Sequence, residues 1–204
     1  MKIVLASNNA GKLAELQTLF APLGMTLVRQ SELNIPEAAE PFKTFVENAL
    51  AKARHAAQLS GMPALADDAG LCVDAFGGQP GVDTAYYATR FGYPKGDDTN
   101  VSALLEQMQG ITNRRAAMVS TLVAVRNADD PEPLVAVGRV VVQITPERRG
   151  SNGFGFDPVM FLPEFGKTFA ELPPEVKNAH SHRGRAAQAM LALMRERWLD
   201  SAAS

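Results

Sequence analysis

The sequence predicts an α/β protein, and three features carry that expectation. The apolar run Ile3-Val4-Leu5-Ala6 passes through a small polar loop into a segment with helical apolar spacing. An alanine-rich segment from Phe45 toward Gly61 predicts a second, longer helix. Two β-prone runs, residues 116–125 and 135–145, flank a turn rich in Asp and Pro and predict a hairpin. With 204 residues, 46% of them hydrophobic, the chain is long enough to bury a sizeable core, as one compact domain or one domain with two lobes.

Composition excludes several classes. The net charge is −2 with no acidic or basic tail, which argues against a nucleic acid polymer as partner. The one cysteine, Cys72, forms no disulfide within the chain, which suits a reducing compartment. The apolar run after Lys2 is too short for a signal peptide, and no stretch reaches the length of a membrane span. The expectation is a soluble cytoplasmic protein with no membrane partner.

In chain order, residues 2–6 predict a buried strand that runs into Ser7-Asn8-Asn9-Ala10-Gly11-Lys12. The following helix places Leu13, Leu16, Leu19, Phe20 and Leu23 on one face, and Met25 to Val28 predicts the next strand. A strand, a short polar loop and a helix in that order make a phosphate site, because the helix start offers backbone N–H groups and the positive end of its dipole. Ser7 and Asn9 add side-chain donors and Lys12 adds a charge. The glycine spacing of a P-loop is missing. An ordinary capped helix with a solvated lysine remains the alternative.

Residues 30–41 predict a loop, with Glu37 and Glu40 as its acids. Thr44-Phe45-Val46-Glu47 has the capping-box pattern, and Phe45, Ala49, Ala53, Ala56 and Ala57 are expected to face inward. Asn48 is harder to explain by capping. The central stretch is Pro63-Ala64-Leu65-Ala66-Asp67-Asp68-Ala69-Gly70-Leu71-Cys72-Val73. Its expected form is a buried strand, a sharp turn at Gly70 and a second short strand. Adjacent like charges raise one pKa unless a cation sits between them, and a hard cation such as Mg²⁺ would relieve that cost. The alternative is a polar turn with one Asp capping it and the other solvated.

Farther on, residues 77–81 predict a tight loop, and Tyr86, Tyr87 and Arg90 a short helical segment offering surface, interface or substrate contacts, with an interface the preferred reading. Asp98 or Thr99 is expected to cap a helix through Met108. Asp129-Asp130 serves as an internal control, an acid pair expected to be solvated. Gly150-Ser151-Asn152-Gly153-Phe154-Gly155-Phe156-Asp157-Pro158 suits a loop lying against a flat ring, or else a core plug with a turn. Lys177 and Ser181-His182-Arg183 precede a last helix, with Ala187, Met190, Leu191 and Met194 inward; a His-Arg at a helix start is ordinarily a cap and a surface charge.

The order of these segments is more specific than any one of them. Ser7-x-Asn9-x-x-Lys12, Phe45-x-Glu47-Asn48-Ala49, Ala66-Asp67-Asp68-x-Gly70-Leu71, Gly153-Phe154-Gly155-Phe156-Asp157-Pro158 and Ser181-His182-Arg183 together resemble the inosine triphosphate pyrophosphatase family, over nearly the whole chain. The resemblance implies an elongated α/β fold with a long mixed sheet flanked by helices, and two lobes with a central cleft. It implies a Mg²⁺-dependent homodimer that cleaves ITP, dITP and XTP between the α- and β-phosphates. By the same resemblance Ser7, Asn8, Asn9, Ala10, Gly11 and Lys12 grip the phosphates. Glu40 and Asp68 hold the metal, Asp68 also accepts the proton, and Asp67 assists. Phe154, Gly155, Phe156, Asp157, Lys177, His182 and Arg183 hold the base. The family often has Ser or Thr after the acidic pair; here Ala69 leaves only its backbone N–H to substrate. A non-catalytic nucleotide sensor and a pyrophosphatase for modified pyrimidine nucleotides are the alternatives.

Overall fold

The computed structural model describes residues 1–199. Seven strands form one sheet in the order β2-β1-β3-β4-β5-β6-β7. They are β1 (Lys2–Leu5), β2 (Thr26–Arg29), β3 (Ala64–Val73), β4 (Arg115–Val125), β5 (Leu134–Ile144), β6 (Met160–Leu162) and β7 (Lys167–Thr168). The helices are α1 (Ala10–Phe20), α2 (Phe45–Ser60), α3 (Asp97–Gln107), α4 (Pro174–His180) and α5 (His182–Met194). β1 pairs in parallel with β2 and β3, whereas β6 pairs antiparallel with β5 and β7, so the sheet is mixed as expected. Among the described residues no helix is long and apolar enough to cross a membrane.

The chain divides into two compact units. The first comprises residues 1–68, 120–138 and 182 onward. Here β1, β3 and β4 are buried on both faces, and side-chain alternation sorts their residues between two cores. Ile3, Leu5, Leu65, Leu122 and Ala124 pack with Leu16 and Phe20 of α1 and Ala187, Met190 and Met194 of α5. Val4, Ala6, Ala64, Ala66, Val123 and Val125 take the alanine face of α2. Small residues on α2 suit this close helix-on-sheet packing; Phe45, expected inside, is only half-buried. Thr44 caps α2, accepting from the Glu47 N–H and donating to Glu47 Oε2 at 2.5 Å. Asn48 is buried and bonds both the N–H and the C=O of Phe42, which closes the preceding loop. Gly138 of β5 lies so close to the first turn of α5 that a Cβ there would meet the His182 carbonyl oxygen.

The second unit comprises residues 69–119 and 139–181. Its core gathers Leu71, Val73, Leu104, Met108, Met118, Val142, Phe156 and Phe169. α3 starts at Asp97, two to three residues earlier than a cap at Asp98 or Thr99 requires. Gly96 is its N-cap, and the Thr99 hydroxyl bonds back to the carbonyls of Pro94 and Gly96.

Two expectations are corrected. Residues 64–73 are one continuous strand, with no turn at Gly70. The ladder with β3's neighbours satisfies a backbone that local turn propensity alone would have bent. Asp130 is buried rather than solvated: its carboxylate accepts the N–H groups of Arg126 (2.8 Å) and Glu132 (3.0 Å) and so ties the β4–β5 turn. Asp129 is the solvated member of that pair. Asp130→Ala should therefore cost about 1–3 kcal/mol, visible as a lowered melting temperature, whereas Asp129→Ala stays within about 0.5 kcal/mol.

Candidate active site

The first unit places the loop expected to bind phosphate and the acid pair side by side. β1 pairs with β3 only as far as Leu5 and Leu65, and Ala6 N–H reaches the Leu65 carbonyl at 2.9 Å. β3 then runs on, so Asp67 and Asp68 follow the point where β1 opens into residues 7–11. Ligand sites in parallel sheets commonly sit at such carboxyl ends. Asn9 is the N-cap of α1, its side-chain oxygen accepting from the Lys12 N–H at 3.0 Å, and Ser7 Oγ accepts from the Asn9 N–H. Two of the expected phosphate donors thus first shape the loop. Asn8 donates to Glu37 at 3.1 Å. The N–H groups of Ala10 and Gly11 have no acceptor within the helix, as in any first turn.

Successive strand residues face opposite ways, so the two acids have separate surroundings. Asp67 is 1% exposed. Its carboxylate accepts from Ser120 Oγ on β4 (2.7 Å) and Arg183 Nε on α5 (3.0 Å), and lies 3.1 Å from Lys12 Nζ. Arg183 continues the chain to Glu15 of α1 at 2.6 Å. Burial pushes the Asp67 carboxyl upward, but the Lys12 and Arg183 charges and these hydrogen bonds outweigh it and hold it far below the usual carboxylate range. Burial in turn lowers Lys12, partly restored by Asp67, while Arg183 is held charged. Arg183 is thus a buried ion-pair member and not the surface charge its position suggested.

Asp68 faces α2. Lys52 Nζ stands 3.1 Å from Asp68 Oδ1 and 2.9 Å from Glu40 Oε2, and it also donates to the Asp67 carbonyl at 3.1 Å. Lys12 Nζ reaches that same carbonyl at 3.4 Å, so two ammonium groups converge on one oxygen. Such a pair attracts a polyanion. Asp68 Oδ2 is buried and has no hydrogen-bond partner. Burial and the Glu40 charge, against Lys52, push the Asp68 carboxyl up to about 6. Burial also works against Glu40, but Lys52 draws its pKa below the ordinary value. Lys52 is held above its ordinary value by Asp68 and Glu40 despite burial.

Each of the two adjacent acids has its own ammonium partner, Lys12 for Asp67 and Lys52 for Asp68. An orphaned oxygen on Asp68, with Glu40 sharing the same lysine, fits a hard cation that needs oxygen donors. Among the described residues no group of three or more His, Cys, Asp or Glu side chains is arranged to hold an ion. Two carboxylates completed by substrate phosphates is the habit of Mg²⁺.

In the second unit, Asp157 is buried and its Oδ2 accepts from Lys177 Nζ at 2.5 Å and from the Phe154 N–H at 2.9 Å. Lys177 Nζ stands 4.7 Å from the Phe154 ring centroid. Phe154 and Gly155 are half-buried, while Phe156 belongs to the core. Ala69 is half-buried on β3, and His182 is buried at the start of α5 in the first unit.

The Ham1 family model matches residues 3–193. The chain belongs to the Ham1 family. It is 79% identical to the dITP/XTP pyrophosphatase of Paracidovorax citrulli over 198 residues, 97% of this chain and 100% of that one. The corresponding protein of Verminephrobacter eiseniae is 78% identical over 98% of this chain and all of its own length. A Ham1 protein from Coxiella burnetii has the same fold, with a TM-score of 0.88 at 41% identity, covering 96% of this chain and 99% of that one.

Sequence reasoning missed three residues of this Ham1 site: Lys52, Ser120 and Glu15. Lys52 was legible from helical spacing, since it lies four residues after buried Asn48 and beside buried Ala53. Ser120 and Glu15 gave no local signal.

The two acids respond oppositely to neutralisation. A folded carboxyl raised to about 6 stabilises the fold fully below its ordinary value of 3.8 and loses that contribution as pH rises through 6. Metal-free Asp68→Asn should therefore melt above the parent at pH 8, with the difference about halved at pH 5 and closing toward pH 4. Asp67→Asn leaves Lys12 and Arg183 buried against a neutral amide and should cost about 3–5 kcal/mol at either pH. Melting scans of both variants at the two pH values check this; shifts of the same sign would refute the separation.

Proposed function

We propose that this protein is a dITP/XTP pyrophosphatase. It hydrolyses the non-standard purine nucleoside triphosphates ITP, dITP and XTP to the nucleoside monophosphate and pyrophosphate, and so removes them from the nucleotide pool. The observation that carries this reading is Asp68: a buried carboxylate with one unpartnered oxygen, beside two converging lysines and a phosphate-type loop. The 79% identity with a dITP/XTP pyrophosphatase over that protein's full length supports it.

Glu40 and Asp68 would hold Mg²⁺, which supplies charge neutralisation at the phosphate oxygens when bound. The loop Ser7-Asn8-Asn9-Ala10-Gly11 and Lys12 grip the polyphosphate, aided by Lys52 and the Ala69 N–H. Asp68 orients a water molecule and takes its proton; a carboxyl with a pKa near neutrality suits that task. The water oxygen bonds to phosphorus as the α–β anhydride bond breaks. Lys12 and the α1 N-terminus stabilise the charge on the departing pyrophosphate. Asp67 does not meet substrate: it fixes Lys12.

Phe154, Gly155, Asp157 and Lys177 select the base; Arg183 is taken up by Asp67 and Glu15, and Phe156 by the core. Hypoxanthine and xanthine carry a carbonyl at C6 where adenine carries an amino group. Lys177 donates to the carbonyl, whereas against adenine donor meets donor, at a cost of about 1–3 kcal/mol. The protein works as a cytoplasmic homodimer in this reading.

A nucleotide panel with Mg²⁺, read out by product identity, tests the reaction. ITP, dITP and XTP should give monophosphate and pyrophosphate, and Asp68→Asn should lose about 10²–10⁴ in turnover while remaining folded. Diphosphate and phosphate as products, or full activity of a folded Asp68→Asn, would overturn it. In the same panel Lys177→Ala should raise ATP relative to ITP hydrolysis by about tenfold or more; an unchanged ratio removes Lys177 from selection.

A further inference from the structure

The base-reading loop is mounted on a single carboxylate. Asp157 holds both the Phe154 N–H and the Lys177 ammonium, and a Cβ at Gly153 would collide with Asp157 Oδ2. Ring and cation are thus set relative to each other. Asn152 ties the base of the loop to the carbonyls of Ala170 and Leu172, and a different contact holds the tip itself. A surface cavity of about 310 Å³ opens beside the tip, bounded by Gly153, Phe154, Gly155, Val101 and Arg148, so side-chain packing there is incomplete. At that cavity the Asp97 carboxylate, in the first turn of α3, accepts the Gly155 N–H at 2.9 Å.

α3 is itself a firm support. Buried Asn100 accepts the Ala88 N–H at 2.8 Å and donates to the Ala85 carbonyl at 3.2 Å. The segment carrying Ala85 and Ala88 is tied to β3 through the Thr84 hydroxyl, which accepts the Leu71 N–H at 2.9 Å. The tip is therefore referenced, through Asp97, to the part of β3 that lies in its own unit, residues 69–73.

We propose that Asp97 is a positioning residue for purine recognition, holding the Gly153-Phe154-Gly155 tip so that Phe154 and Lys177 are set before the base arrives. The inference rests on the reading above that this loop holds the base. Asp97 itself meets no substrate. Releasing the tip makes binding order it, which weakens ground-state binding while leaving the bond-breaking step alone.

The test compares Asp97→Ala, Asp97→Asn and Phe154→Ala with the parent, measuring kcat, KM for ITP and melting temperature. Asp97→Ala should raise KM about three- to tenfold with kcat within about twofold and an unchanged melting temperature. Asp97→Asn, which keeps a carbonyl acceptor, should recover most of the loss. An unchanged KM in Asp97→Ala, with Phe154→Ala raising it, overturns the role of Asp97 and leaves the base loop standing. An unchanged KM in both variants overturns the base-loop reading and this inference with it. A fall in kcat and melting temperature that Asp97→Asn does not recover marks Asp97 as merely structural.

Discussion

A charged carboxylate in the dry middle of a sheet is the constraint on which the first unit depends. An isolated ion there costs several kcal/mol, and Asp67 is tolerated only because Lys12, Arg183 and Ser120 close around it. Those partners come from three elements, α1, α5 and β4, so satisfying one charge fixes all three against β3. It also fixes the lysine at the head of the phosphate loop. Gly138 permits the arrangement by letting the first turn of α5, and with it Arg183, approach β5 closely.

One residue on, strand geometry reverses the outcome. Asp68 faces the other side, where Lys52 is shared with Glu40 and one oxygen has no partner. The same sequence feature, two adjacent acids, thus yields one group locked in its charged form and another kept unsatisfied. A structural ion pair and the carboxylate proposed to be catalytic are one peptide unit apart. Under-satisfaction of this kind costs stability, and the saturated neighbour accompanies it in the same strand.

Much of this was legible in the sequence, because much of it is local. The strand–loop–helix of residues 2–20, the Thr44 cap and the β4–β5 turn follow from short-range spacing and side-chain chemistry. The failures share a cause. Gly70 predicted a turn, but β3 runs on without a break beside β4, a partner that no local window contains. Asp130 looked like solvated turn residue until its backbone partners were placed. Arg183 and Asp67 are 116 residues apart, so their pairing, and the use of Glu15 and Ser120, needed the tertiary fold. Lys52 differs: helical spacing pointed it at the buried face, and a lysine there calls for an acid to meet it.

Carbon-13 NMR of the aspartate side-chain carboxyls in metal-free protein tests the separation of the two acids most directly. One buried carboxyl should titrate near pH 6 and be missing from Asp68→Asn, while the Asp67 signal holds its ionised shift down to acid unfolding. Two carboxyls titrating together near pH 4, the ordinary carboxylate range, would contradict it.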